Sequence, residues 1–194
     1  MLSAYKLTLP ALTIETASPS ASALLKGAKA NFGFVPNMFT HMAHVPGLLS
    51  TYFHGYEQFR ANSGFTAVEQ EVVFLTISIE NGCEYCVSAH SMVADAMSKV
   101  PTDVTNALRD GKPVTDAKLA ALATFTRTMV VTRGLPSQAD VTQFLAAGYT
   151  ETQILEVILA ISLKTISNYT NHLAHTNVDA AFASHVWKDA RAAK

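Results

Sequence analysis

Charge is scarce in this chain of 194 residues: 14 Lys and Arg stand against 15 Asp and Glu, 15% of the whole, with no basic run. Nucleic-acid binding rests largely on neutralising phosphates, so that class is set aside. Long apolar runs are lacking too. The most apolar stretches, 72–79 and 154–163, fall short of the roughly 20 residues a bilayer span needs, and the second contains Glu156. The N-terminal MLSAYKLTLPALTIE has one lysine and a proline inside its apolar part, which makes a poor secretory signal. A cytoplasmic protein without a membrane partner is the expectation. No stretch shows sustained apolar/polar alternation bounded by hairpin signals, which argues against a β fold. Cysteine is limited to two residues. In a reducing compartment, such a pair suits a reactive dithiol or a metal site better than a structural disulfide.

What the chain does have is hydrophobicity, at 49% of residues, arranged with helical spacing. Residues 1–18 lack periodicity and read as an extended arm; residues 19–194 read as one all-α domain. Pro19 and Ser20 precede a first helix, ASALLKGAKANFG, in which Ala23, Leu24, Ala28 and Phe32 fall near helical spacing and Gly33 is the stop. A short helix follows Pro36, and an aromatic-rich segment with Leu49, Tyr52, Phe53 and Tyr56 spans about 48–61. Those rings read as core rather than as the wall of a ligand site. Thr66 and Glu69 form a capping-box pattern that opens a helix to about Glu80, with Val68, Val72, Leu75 and Ile79 as its apolar stripe. Asn81-Gly82 ends it, and the next helix covers about 83–99. Shorter helices at 102–109, from 115 or 116 to 134, and from 137 to 148 precede a long pattern from Thr150, with a further helix expected from about Ser167. The tail from Ala180 is weakly helical.

Two segments echo one another. FTAVEQEVVFLTISIENGCEY aligns with YTETQILEVILAISLKTISNY at an offset of about 84 residues, and each opens with a capping box. The first repeat covers about 66–99 and a degenerate second about 150–180. In this register Cys83 and Cys86 correspond to Ser167 and Thr170, and Glu71 to Leu155, so the second copy is a scaffold without thiols. Slipping by one residue pairs Glu71 with Glu156 and His90 with His175 instead.

The chemistry concentrates in Glu71–His90. Cys83 and Cys86 form a C-x-x-C, and His90 follows four residues on, so all three side chains share one helix face. A thiolate, not a thiol, is the nucleophile, and three features favour it: the N-terminal turn of a helix, His90 within reach of Cys86, and Glu71 on the preceding helix. Glu71 lies between Val68 and Leu75 on a largely apolar face. It is either buried against a histidine or thiol, or at the stripe's edge reaching solvent, and spacing leaves both open. Phe32, Phe34, Met38 and Phe39 could border an approach to the thiols, with core packing the favoured reading. His41 and His44, and His172 and His175, are pairs three apart that suit surface or interface roles, while His54 and His185 lack an evident partner.

The pattern Glu71-x11-Cys83-x-x-Cys86-x3-His90, with NFGFVPNMF upstream and ISNYTNHLAH downstream, resembles the alkylhydroperoxidase D-like branch of the carboxymuconolactone decarboxylase family over most of residues 30–180. The resemblance implies an all-helical fold with an internal repeat, a homo-oligomer (trimer or hexamer), and thiol-dependent reduction of hydroperoxides with an antioxidant role. It implies no cofactor. Cys86 would attack the peroxide, Cys83 would resolve the sulfenic acid as a disulfide, and His90 with Glu71 would form the proton relay. A thiol or dithiol reductant, the lipoyl type among them, would close the cycle. Tyr85 departs from the pattern, because the branch carries a histidine immediately before the second cysteine. Two alternatives stand beside this reading. Cys83, Cys86 and His90 could hold a metal with His172, His175 or water as fourth ligand, or the dithiol could sense oxidation without turnover.

Overall fold

The computed structural model describes residues 4–193. Among them there are nine α-helices, two short 3₁₀ turns and no strand, so the expected all-α class holds. The helices are α1 (Pro19–Phe32), α2 (Asn37–Met42), α3 (Pro46–Asn62), α4 (Ala67–Glu80), α5 (Glu84–Ala96), α6 (Thr102–Asp110), α7 (Ala117–Val131), α8 (Gln138–Ala146) and α9 (Glu151–Ala174). No single helix among the described residues is long and apolar enough to cross a membrane.

The organising element is α4. A stripe of four residues was expected to be its buried face, yet every residue from Glu69 to Ile79 is buried. The reason is its position: α5, α6, α7 and α9 pack around it and leave no solvent face. Its start is fixed by the capping box in which the Thr66 hydroxyl accepts from the Glu69 amide and the Glu69 carboxylate accepts from the Thr66 amide. The same device at Thr150 and Gln153 starts α9. From there the two segments diverge. Asn81-Gly82 breaks the first into α4 and α5, whereas the second is one continuous 24-residue helix, so the separate helix expected from Ser167 is part of α9. KTISNY has no glycine or proline to interrupt it, whereas Gly82 breaks the first segment.

Gly82 makes the α4–α5 bend possible. Its φ is +69°, and a Cβ there would sit 2.7 Å from an Asp189 carboxylate oxygen. Asp189 belongs to a C-terminal strap tied across the head of α5: Lys188 Nζ lies 2.6 Å from Glu84 Oε2, and the Trp187 amide donates to Ser88 Oγ at 3.1 Å. The cysteine helix is therefore held from both its sequence neighbours and the far end of the chain.

Candidate active site

Cys83 is the N-cap residue of α5 and Cys86 lies in its first turn. Free N–H groups and the helix dipole at that terminus favour negative charge on the sulfurs. Both cysteines are buried, unbridged thiols.

Glu71, in the middle of α4, is completely buried, which resolves the question the spacing left open. Its Oε2 accepts the Nδ1 hydrogen of His90 at 2.8 Å, and its other oxygen is bound by Arg60 of α3. Arg60 also donates to the Tyr56 hydroxyl at 2.7 Å and to Gln70 Oε1 at 3.1 Å. Nε2 of His90 lies 2.8 Å from Nζ of Lys164, which reaches in from α9 and is 1% exposed. An ionised carboxylate only accepts and an ammonium only donates, so His90 is the Nδ1–H tautomer with both ring nitrogens engaged. The sequence does bring Glu71, Cys83, Cys86 and His90 together, but Lys164 stands at the face of His90 that would otherwise serve the thiol.

The electrostatics separate the two thiols. Burial opposes ionisation of Glu71, but His90 and Arg60 outweigh it and keep the carboxyl below its usual range. Burial and then the Lys164 charge hold the His90 imidazole below its ordinary value, against the pull of Glu71. Burial likewise opposes a Cys86 thiolate, yet the hydrogen bond from Cys83 and the charge of Lys164 bring Cys86 well below a free thiol. Cys83 moves upward, through its hydrogen bond to Cys86 and through burial. Charge balance gives the same answer. Arg60 is paired with Glu71, His90 is neutral, and the surplus buried cation is Lys164. A Cys86 thiolate is the anion that compensates it, and an uncompensated buried charge costs several kcal/mol.

Three contributors were missed in the sequence: Arg60, an ordinary surface-type residue near the end of an amphipathic helix, Lys164 and Asn171. Lys164 had a signal: it sits within the apolar stretch ILAISLKTIS with no acidic residue three or four positions away to pair with. Asn171 had none. Its Nδ2 lies 3.3 Å from Cys86 Sγ, 3.7 Å from Cys83 Sγ and 3.3 Å from Met38 Sδ. An amide N–H directed at two sulfurs favours a thiolate.

Cys86 and His90 open on a cavity of about 290 Å³ whose wall includes Phe32, Phe34, Met38, Phe39, Tyr52, Phe53 and Tyr56. Core packing is the favoured reading of these residues from sequence, and they both belong to or pack against the core and line this cavity, Phe32 through its contact with Phe39. Phe39 does pack edge-on against Phe53, with ring centroids 4.8 Å apart, and Tyr56 stacks on Phe74. The same rings present their other edges to the void left where α2 and α3 meet α5. An amphipathic stripe cannot distinguish packing from lining, because both bury the ring. Tyr85 is turned away from the His90 cluster: its hydroxyl donates to Asp179 Oδ2 at 2.5 Å and its ring meets Phe182 edge-on.

A metal reading finds little support in this geometry. Both nitrogens of His90 are engaged, and among the described residues no three His, Cys, Asp or Glu side chains gather at metal-binding distance. Of the remaining histidines, His44 donates to the Pro10 carbonyl at 2.7 Å and His185 meets Asp95 at 3.3 Å.

The carboxymuconolactone decarboxylase family model matches residues 46–127. No functionally curated protein matches by sequence. Among solved structures, an alkylhydroperoxidase AhpD core protein from Ralstonia eutropha JMP134, described as an uncharacterized peroxidase-related protein, superposes with a TM-score of 0.78 at 20% identity, over 90% of this chain and 93% of its own. An uncharacterized peroxidase-related protein from Silicibacter sp. TM1040 gives 0.74 at 19%, over 93% and 94%. The debrominase Bmp8, solved as a cysteine-to-alanine variant with 2,3,4-tribromopyrrole, gives 0.76 at 18%, over 94% and 97%.

Proposed function

From the match of residues 46–127 to the carboxymuconolactone decarboxylase family model and from the AhpD-like fold, we propose that this chain is a member of that family and a thiol-dependent peroxidase acting on apolar hydroperoxides. One observation carries the reading: a buried dithiol in which Cys86 borders an aromatic cavity, with Asn171 Nδ2 3.3 Å from its sulfur and the buried Lys164 bonded to the neighbouring His90.

In the oxidising half, the Cys86 thiolate attacks the distal peroxide oxygen and the O–O bond breaks. The departing alkoxide takes a proton from Lys164, giving an alcohol and a Cys86 sulfenic acid. Cys83 then attacks the Cys86 sulfur, and its thiol hydrogen leaves with the sulfenic oxygen as water. The cluster stays neutral throughout, because Lys164 loses its positive charge as Cys86 loses its negative one. His90 holds the amine through Nε2 and is itself held by Glu71, so the two act as the relay behind Lys164. A dithiol reductant returns the enzyme to its starting state, one of its hydrogens going to Cys83 and the other to Lys164. Tyr85 has no part in this proton path, which accounts for the tolerated loss of the histidine at that position.

The exposed apolar residues Leu155, Ile158 and Tyr169 along α9 support the homo-oligomer, because such a stripe is costly when left in water. The reading is tested by a coupled assay with cumene hydroperoxide and a dithiol. Wild type turns over; Cys86→Ser does not, while keeping its helical circular dichroism. Full activity in Cys86→Ser would sink the assignment.

A second reading is favoured by the aromatic wall of the cavity together with the debrominase neighbour. The same dithiol could supply two electrons to a halogenated aromatic ring, with Cys83 and Cys86 oxidised to the disulfide, a hydrogen replacing the halogen, and halide and a proton released. Halide release from 2,3,4-tribromopyrrole, without turnover of cumene hydroperoxide, would reverse the order of the two.

A further inference from the structure

The two sulfurs border different spaces. Cys86 borders the apolar cavity, and Cys83 borders a polar cleft of about 600 Å³ on the other side of the dithiol. Its walls are the end of α9, with Asn171, His172 and His175, and the C-terminal strap, with Lys188 and Asp189. Tyr85 borders both spaces and, pinned by Asp179 and Phe182, forms the partition. We propose that the dithiol is served through two separate openings: the oxidising substrate reaches Cys86 from the apolar cavity, and a small thiol reductant, or one carried on a slender arm, reaches Cys83 through the polar cleft.

Three independent arguments converge on Cys83 as the sulfur attacked in reduction. The first is position, since it is the one that borders the cleft. The second is a ready acceptor. Asn171 is nearly fully buried, its Oδ1 has no hydrogen-bond partner, and it borders the cleft beside Cys83, where an incoming S–H could donate to it. The third is leaving-group chemistry. Thiol–disulfide exchange is faster when the departing thiol is the more acidic, and attack on Cys83 expels Cys86. In that step the reductant sulfur bonds to Cys83 Sγ, its thiol proton passes to the Lys164 amine left neutral by the oxidising half, the S–S bond breaks, and Cys86 departs as the thiolate beside the restored Lys164 charge. The reductant's second thiol then attacks its own sulfur in the mixed disulfide and releases Cys83, which takes up a proton. A cleft of this size admits a small dithiol and excludes a folded domain.

This inference rests on the dithiol cycle proposed above, but its test does not need peroxide as the substrate. Wild type, His172→Trp in the cleft wall and Ala89→Phe in the cavity wall are each oxidised with one equivalent of diamide. Their re-reduction by dithiothreitol is followed by quenched-flow thiol alkylation, and oxidation of the reduced forms by cumene hydroperoxide is timed separately. His172→Trp is expected to slow re-reduction at least about tenfold more than it slows oxidation, with Ala89→Phe doing the reverse, as expected where access limits exchange. Asn177→Trp, on another exposed part of the cleft wall, repeats the test should His172→Trp fail to fold. Equal slowing of both half-reactions by each variant, or no effect of either cleft variant on re-reduction, would overturn the two-opening arrangement. A wild type inert to the hydroperoxide would overturn the peroxidase reading alone, because the diamide and dithiothreitol arm still reports on the cleft.

Discussion

Lys164→Met isolates the electrostatic core of the account. Methionine keeps the length and apolar stem of the side chain and removes the charge beside Cys86 and His90. Two unit charges in contact attract by about 4 kcal/mol at an effective dielectric near 20, and roughly half survives a modest separation. About 2 kcal/mol corresponds to about 1.5 pKa units of Cys86 acidity, so the thiolate titration of Lys164→Met should lie about that much higher in pH than that of the wild type. Stability should move the other way. With Lys164 gone, Cys86 returns to a neutral thiol, Arg60 and Glu71 remain paired, and the variant carries no uncompensated buried charge. Replacing buried charges by apolar groups is commonly neutral or stabilising by about 1–4 kcal/mol. The assay is thiolate absorbance at 240 nm against pH, with urea unfolding alongside and Cys83→Ser as background to isolate one sulfur. An unshifted thiolate titration in Lys164→Met would refute the counterion argument. A loss of activity that merely tracks a loss of stability would refute it equally.

Three further outcomes follow. Glu71→Gln leaves Arg60 without its buried partner and is expected to cost about 3–5 kcal/mol, read from the urea midpoint; a change under about 1 kcal/mol would contradict the pairing. Stability of the wild type should fall as pH drops through about 6.5, because His90 has a lowered pKa in the fold and the unfolded chain binds its proton first. A second fall is expected below about pH 4.3, where Glu71, also lowered in the fold, becomes protonated and its contribution is lost; Glu71→Gln should make that lower limb shallower and, by removing the pull on His90, make the upper one steeper. If the proposed homo-oligomer packs through α9, Leu155→Glu together with Tyr169→Glu should reduce it to monomers in analytical ultracentrifugation; a wild type that already sediments as a monomer would contradict the oligomer, and an oligomer unchanged in the variant would contradict the α9 interface.

How much of this could be read in the sequence depended on the range of the interactions involved. Capping boxes at Thr66, Ser137 and Thr150 act within one turn, and each starts a helix as expected. Cys83, Cys86 and His90 share a face by helical spacing alone. Glu71 could be noticed but not decided, because its fate depends on Arg60, eleven residues away, and on α9 covering α4. Lys164 and Asn171 reach the site only because α9 runs unbroken alongside the thiols, 74 residues after His90 in the first case and 85 after Cys86 in the second. The aromatic wall could be suspected at Phe32, Phe34, Met38 and Phe39 but not decided, for a different reason. Tyr52 and Phe39 are buried whether they fill a core or border a cavity, and periodicity reports burial without saying what lies opposite.

The division of labour between the sulfurs is the central claim, and trapping the sulfenic acid tests it most directly. Cys83→Ser is treated with one equivalent of cumene hydroperoxide in the presence of dimedone, and the adduct is located by peptide mass spectrometry. The account predicts a single adduct on Cys86, with none on Cys83 in the reciprocal Cys86→Ser protein. An adduct on Cys83 in Cys86→Ser, with Cys86 of the other variant left unmodified, would contradict it.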